Sequence, residues 1–324
     1  MKTQVIRIHE TGGPEVLRWE TVDLPAPGPG QALLRQTTCG VNYIDTYHRS
    51  GLYPLPLPAV VGSEGAGTVE AVGPGVTDIR PGMRAAYAGE RGGYAEARLV
   101  PAERLVPLPD DVSDEIAAGM MLRGMTAQYL LRRTFPVKRG DAVLIHAAAG
   151  GVGLLMCQWA RSLGATVIGT VGSDAKAELA RAHGCEHAIV YTREDFTVRV
   201  REVTGGRGVQ VVYDAVGKDT WNGSLDSLAP LGTMVSFGNA SGAVPPFSPL
   251  VLSQKGSLFL TRPTLGHYTA TRADLLASAN ELFDVVRRGV VKVEIGQRFA
   301  LREAAEAHRA LESRATTGST ILLA

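Results

Sequence analysis

Ala142-Val143-Leu144-Ile145-His146-Ala147-Ala148-Ala149-Gly150-Gly151-Val152-Gly153-Leu154-Leu155-Met156-Cys157-Gln158-Trp159-Ala160 joins two apolar runs through a glycine turn and carries no Asp, Glu, Lys or Arg. Its length approaches a membrane span. Gly150, Gly151 and Gly153 interrupt it, however, and His146 and Gln158 sit inside it, so it reads as a buried strand, a tight turn and a buried helix. Set against G-x-G-x-x-G, Ala148 takes the first glycine position, while Gly150 and Gly153 keep the second and third. Small residues there let the backbone approach a pyrophosphate, and the first N–H groups of the following helix face the anion. The stretch therefore predicts a dinucleotide site.

Working outward, strands and helices alternate: helix 126–133, strand 142–146, helix 152–163, strand 166–170, helix 175–183, strand 187–190, helix 195–203 and strand 209–214. Helix 221–228, strand 233–237 and strand 257–260 follow. Apolar strands separated by helices predict a parallel sheet wound on both faces. The second strand ends Thr170-Val171-Gly172-Ser173 without a carboxylate at its tip. An acid there would hold a ribose 2′-hydroxyl. Ser173 and Lys176 suit a 2′-phosphate instead, so NADPH is expected over NADH, with Asp174 as the residue out of place.

Before Ala117 the chain is short strands punctuated by glycine and proline, the composition of a partly closed, mostly antiparallel β domain. The last sixty residues read as helices 272–288 and 302–312 and a strand, 319–323, returning to that first domain. The expected division is 1–123 with 264–324 for the substrate domain, and 124–263 for the dinucleotide-binding domain. The length of 324 residues suits two domains. With 33 Lys+Arg against 32 Asp+Glu the net charge is +1, which gives no bulk electrostatic support to binding nucleic acid or an anionic membrane. Three scattered cysteines, Cys39, Cys157 and Cys185, form no disulfide framework; they fit a reducing compartment, and a cytoplasmic location is expected. Cys39 and Cys157 read as packing thiols. His183-Gly184-Cys185-Glu186-His187 gathers metal-ligand types, but a helix stop and a strand start point its side chains apart.

Gly62-Ser63-Glu64-x-x-Gly67-x5-Gly73-x-x-Val76 resembles the G-H-E-x2-G-x5-G-x2-V pattern of the medium-chain dehydrogenase/reductase superfamily. The resemblance is closer to its zinc-independent NADPH:quinone oxidoreductases, the zeta-crystallin-like branch. It is carried by Gly40-Val41-Asn42-Tyr43-Ile44-Asp45-Thr46-Tyr47, Arg49-Ser50-Gly51-Leu52-Tyr53-Pro54, the glycine turn, Val212-Tyr213-Asp214-Ala215-Val216-Gly217, Val235-Ser236-Phe237-Gly238-Asn239-Ala240-Ser241-Gly242 and Leu311-Glu312-Ser313-Arg314-Ala315-Thr316. The three positions that hold catalytic zinc in that superfamily's alcohol dehydrogenases fall at Ser63, at Asn42 and near Leu122, none a good zinc ligand. The resemblance implies an α/β fold, a GroES-like mostly antiparallel β domain plus a doubly wound Rossmann domain. It implies that Gly150, Gly151 and Val152 touch the pyrophosphate, and that Gly172, Ser173, Lys176, Tyr191 and Arg314 surround the 2′-phosphate. Asn42, Thr126, Val216, Phe237, Gly238, Asn239 and Ser241 would line the ribose and nicotinamide. Tyr47 and Tyr53 would edge the substrate cleft, with Asn42, Tyr47, Tyr53 and Thr126 as hydrogen-bonding catalytic groups.

A quinone is already a strong electrophile, and its reduced anion is delocalised. Hydride transfer to it needs stacking, exclusion of water and modest donors rather than a Lewis acid. Two other functions remain open on the sequence: reduction of an activated C=C bond in an enone, enal or enoyl thioester, and a non-enzymatic NADPH-binding role of the crystallin or RNA-binding type. A homodimer is expected, because strands 233–237 and 257–260 lie late in the wound sheet, where an open edge invites pairing.

Overall fold

The computed structural model describes residues 1–324, and the chain divides into two compact units: 1–125 with 269–280 and 293–324, and 126–268 with 281–292. The first unit begins with β1 (Lys2–Ile8), β2 (Arg18–Asp23), β3 (Gln31–Val41), α1 (Tyr43–Ser50) and β4 (Ala59–Val60). It continues through β5 (Glu64–Val72), β6 (Arg84–Ala88), β7 (Ala97–Pro101) and β8 (Val106–Pro107). α2 (Asp114–Tyr129) then leads into the second unit, which contains β9 (Ala142–Ile145), α3 (Gly151–Ser162), β10 (Thr166–Val171), α4 (Asp174–Ala182) and β11 (His187–Val190). After these come α5 (Phe196–Val203), β12 (Val209–Asp214), α6 (Trp221–Ser227), β13 (Leu228–Ser236), α7 (Leu250–Gln254), β14 (Phe259–Thr261) and α8 (Leu265–Tyr268). The tail is α9 (Arg272–Arg287), β15 (Ile295–Ala300), α10 (Ala304–Glu312) and β16 (Ser319–Leu323).

In the second unit six parallel strands run in the order β11-β10-β9-β12-β13-β14. The order reverses direction at β9 and β12, and a wound sheet opens its ligand crevice beyond the carboxyl ends of the strands at such a switch point. The core of this unit gathers Leu144, Ile168, Ile189, Val212 and Met234 from the strands with Trp221 and Leu225 from α6. β9 is apolar throughout, and β10 and β12 are buried along almost their whole length, because both faces of the sheet are covered.

The first unit holds a three-stranded sheet, β2-β1-β4, and a seven-stranded one in which β15-β16-β3-β5-β6-β8 are neighbours and β7 also pairs with β3. All pairs are antiparallel except β15 with β16. One core packs Ala32, Leu34, Val69, Ala85, Tyr87 and Val100 inside the sheet. A second packs Ile6, Ile8, Cys39, Val41 and Tyr94 against Ala304 and Ala307 of α10.

Four expected boundaries differ. Residues 43–50 form a helix where strands and turns were expected, since Asn42 and the αL residue Gly51 (φ 84°) bracket a segment whose Asp45, Thr46, Tyr47 and Arg49 are buried. α2 begins at Asp114, well before 126, and Leu130–Thr134 continues it as a π-helical turn. β13 begins at Leu228 rather than 233. The tail contains a second strand, β15, whose polar Gln297 and Arg298 hide its pairing with β16. No helix is long and apolar enough to cross a membrane.

Candidate active site

The glycine turn lies between β9 and α3. Ala147 takes the left-handed conformation (φ 53°), the Gly150 N–H donates to its carbonyl, and Gly150 caps α3. A Cβ on Gly153 would stand 2.3 Å from the Ala147 oxygen, so only glycine allows the helix to start this close to the turn. Gly151 and Val152 open α3, where N–H groups lack intrahelical acceptors and the helix dipole favours an anion.

At the end of β10, Gly172 faces Tyr191: a Cβ there would lie 3.0 Å from the tyrosine oxygen. Ser173 caps α4, its hydroxyl oxygen accepting from the Lys176 N–H at 3.4 Å and leaving its hydrogen to donate elsewhere. Asp174 is held by Arg193, whose Nη1 donates to Oδ2 at 2.6 Å and whose Nη2 donates to Oδ1. That pairing keeps the carboxyl below its usual pKa.

Beyond β12 and β13, two loops are tied together. Ser241 donates through its N–H at 2.8 Å and its hydroxyl at 2.9 Å to the Val216 carbonyl. Gly238 rests against the Ala215 carbonyl, and Phe237 donates its N–H to Asp214. Arg262 donates to the Gly238 carbonyl at 3.1 Å, and Asn239, with its amide oxygen towards that guanidinium, accepts from Nη2 at 3.1 Å. The structure thus brings Val216, Phe237, Gly238, Asn239 and Ser241 together. Thr126 lies in the same unit on α2, nearly buried, within hydrogen-bonding reach of the Tyr129 hydroxyl.

Underneath lies a polar trio that contains the residue types of a nucleophilic triad without its order. Ser224 stands between the others, donating to Asp214 at 2.8 Å, and accepts from His146 Nε2 at 2.9 Å. His146 Nδ1 must then accept from Thr170 (2.8 Å), which fixes one neutral tautomer, and burial lowers its pKa. Asp214 also accepts from the Val216 and Gly217 N–H groups and from Thr220, so the trio anchors the loop.

The first unit carries Asn42, Tyr47, Tyr53 and Arg314. Tyr47 meets Tyr53 edge to face at 5.2 Å, and the Tyr53 N–H donates to the Tyr47 carbonyl. Arg314 takes a left-handed φ of 60° after α10.

Two fully buried carboxylates sit behind Asn42. Glu64 accepts from the Leu122 N–H at 2.6 Å, from Asn42 Nδ2 at 2.8 Å and from Arg123 at 3.4 Å; Arg123 also donates to the Gly119 and Val41 carbonyls. Asp45 accepts from the Asn42 N–H at 2.8 Å, from Ser63 at 2.7 Å and from Tyr94 at 3.0 Å. Burial pushes Glu64 up to about 7 and Asp45 up to about 6, against the pull of Arg123 and of these donors. The network continues outward. An arginine has only donors, so His308 Nδ1 accepts from Arg49 (3.0 Å) and its Nε2 donates to Tyr94 (3.0 Å), which donates to Asp45. Arg49 closes the chain on Glu312. Burial and the Arg49 charge lower His308 to about 3.

The three positions that carry zinc in the metal-dependent dehydrogenases are therefore occupied by hydrogen bonding: Ser63 on Asp45, and Asn42 and the Leu122 N–H on Glu64. No group of three His, Cys, Asp or Glu side chains is placed to hold a metal ion, and the residues present do not suit zinc. At 183–187, Cys185 is buried, the His183 ring meets the Leu179 carbonyl and the His187 ring lies beside Glu186.

Sequence reasoning did not single out Glu64, Asp45 or Arg123 as site residues. A signal existed: Arg123 is the one charge between Ile116 and Leu131, and Glu64 stands in a run of small residues. A charge in such surroundings needs a buried partner.

Two family models match, the alcohol dehydrogenase GroES-like domain over residues 28–110 and the zinc-binding dehydrogenase over residues 151–278. A quinone oxidoreductase of Pseudomonas aeruginosa is 55% identical over 320 residues, which is 98% of either chain. A 2-haloacrylate reductase of Burkholderia sp is 51% identical, covering 98% of this chain and 97% of that one. The crystal structure of Escherichia coli quinone oxidoreductase complexed with NADPH superimposes with a TM-score of 0.98 at 47% identity, covering 99% of this chain and 100% of that one.

Proposed function

The chain belongs to the quinone oxidoreductases of the medium-chain dehydrogenase/reductase superfamily, and from that premise we propose that it reduces quinones with NADPH without a metal. The observation that carries this reading is the pairing of a dinucleotide-binding turn with a buried hydrogen-bonded clasp at the positions of the zinc ligands.

The hydride comes from NADPH when it is bound. Gly150, Gly151 and Val152 hold the pyrophosphate at the start of α3. Gly172, Ser173, Lys176 and Tyr191 receive the 2′-phosphate, joined by Arg314. Asn42, Thr126, Val216, Phe237, Gly238, Asn239 and Ser241 hold the ribose and nicotinamide. Tyr47 and Tyr53 supply hydroxyl donors for the quinone oxygen on which charge develops. Reduction to the hydroquinone consumes one hydride and one proton, and the Tyr47 and Tyr53 phenols are the groups proposed to pass that proton.

Support for a metal-free reaction comes from Ser63, Asn42 and Leu122, whose polar groups are already committed to carboxylates. Purified protein is expected to keep its NADPH-dependent benzoquinone reductase rate after prolonged treatment with a strong chelator. A rate abolished by the chelator and restored by zinc would refute the metal-free reading. The similarity to a 2-haloacrylate reductase supports a second acceptor class, conjugated C=C bonds. Steady-state rates with a benzoquinone, a naphthoquinone and a 2-haloacrylate rank the two. Three buried free thiols support a cytoplasmic location.

A further inference from the structure

We infer that Glu64 is a positioning residue that decides which end of the Asn42 amide is offered to the cofactor. The inference rests on Asn42 facing NADPH, as proposed above, and goes on to say what Asn42 presents there and why.

Glu64 is completely buried, and its two oxygens meet donors only. Two of those donors are fixed independently of it. The Leu122 N–H belongs to the α2 backbone, and Arg123 is anchored on the Gly119 and Val41 carbonyls. On its other side the carboxylate lies against Gly40, where a Cβ would stand 2.3 Å from Oε2 and 2.2 Å from the Ala118 oxygen. The carboxylate therefore has one seat. From it, Oε2 requires a donor from Asn42 and receives Nδ2 at 2.8 Å. The reversed amide would set two acceptors together in a buried site, which costs more than a lost hydrogen bond.

A planar amide whose nitrogen is taken this way turns its carbonyl oxygen to the other side. Asn42 consequently presents an acceptor. That suits a ribose hydroxyl or a carboxamide N–H of the cofactor, both donors, and does not suit a quinone oxygen gathering negative charge. On this inference the donors for that oxygen are the hydroxyls of Tyr47 and Tyr53 rather than the Asn42 amide.

Glu64→Gln tests this with little change of volume. The glutamine oxygen stays on the Leu122 N–H, its NH2 faces Asn42, and the Asn42 amide turns over. We expect NADPH affinity, measured by titrating the nucleotide's fluorescence, to fall about tenfold. The KM for quinone at saturating NADPH is expected to stay within about twofold. Asn42→Ala is expected to weaken NADPH by a similar factor, and E64Q/N42A to be no weaker than N42A. Asn42→Asp approaches the same contact from the other side. It sets two carboxylates together, and the proton they share at low pH stands in for the amide hydrogen. Its affinity is therefore expected to rise as pH falls from 8 to 6, relative to the unsubstituted protein.

Equal weakening by E64Q in the presence and absence of the Asn42 amide overturns the inference, as does unchanged affinity in folded E64Q. If E64Q does not fold, N42D decides, and affinity without added pH dependence overturns it. Unchanged affinity in N42A overturns the inference together with the assignment of Asn42 beneath it, whereas additive effects overturn only the role of Glu64.

Discussion

His308 is buried between a guanidinium and a phenol, and that position ties protein stability to pH in a definite direction. In the folded chain its pKa is lowered from 6.5 to about 3. Between those values the unfolded chain binds a proton that the folded chain refuses, so the histidine's contribution is intact above pH 6.5 and is lost as pH falls. His308→Gln removes this component. At pH 7 the variant is expected to be less stable by about 1–3 kcal/mol, because Arg49 or Tyr94 loses a partner. The gap is expected to narrow by about 1.4 kcal/mol per pH unit below 6.5. Urea unfolding of both proteins at pH 7 and pH 5 measures it; a constant gap would show that the folded histidine is not held neutral. Single residues such as His308 are poorly legible in a sequence. Its neighbours Arg49 and Tyr94 are remote in the chain and meet it through α1 and the loop before β7. Gly153 was legible, because the demand for a glycine arises from the adjoining turn.

Elements show the same division. β9, the turn and α3 were readable because apolar run, glycines and helix follow one another without a gap. α1 was not, because Tyr43–Ser50 has few of the residues that mark helices, and its buried face is polar: Asp45, Thr46 and Arg49 turn inward to partners that the sequence does not place. The loops after β10 and β11 form another case. Asp174 stood out as a negative charge beside a phosphate-binding loop, and Arg193, nineteen residues on, supplies its partner. The pair cancels a charge that would repel a 2′-phosphate. Arg193→Ala is expected to raise the KM for NADPH about three- to tenfold while leaving that for NADH within about twofold. Adding Asp174→Asn is expected to recover most of the loss. Initial rates over a range of each nucleotide decide it, and equal losses for both nucleotides would show that Arg193 acts on something other than the phosphate.

For the whole molecule, the parallel sheet ends at β14, whose Phe259 is 61% exposed, and Leu231 and Leu250 of the same unit are 67% and 61% exposed. An apolar edge strand with one open side is the ground for proposing that the chain pairs with a second copy through β14. Phe259→Glu is expected to shift the protein from dimer to monomer in sedimentation equilibrium without changing the NADPH affinity of each chain. A monomer before substitution would rule the dimer out. The other sheet is closed differently. β16 lies between β15 and β3, so the strand nearest the end of this chain fills the middle of a sheet that starts with the first third. On a ribosome the two units therefore mature on separate schedules. Residues 126–268, which hold all six parallel strands, are made in one stretch and need only the short return of 281–292 to be complete. β7 covers Gln31–Arg35 on one edge of β3 early, but Thr38–Val41 of that edge must wait for Ser319–Leu323 to be synthesised, and until then that part stays open for most of the time the chain takes to make.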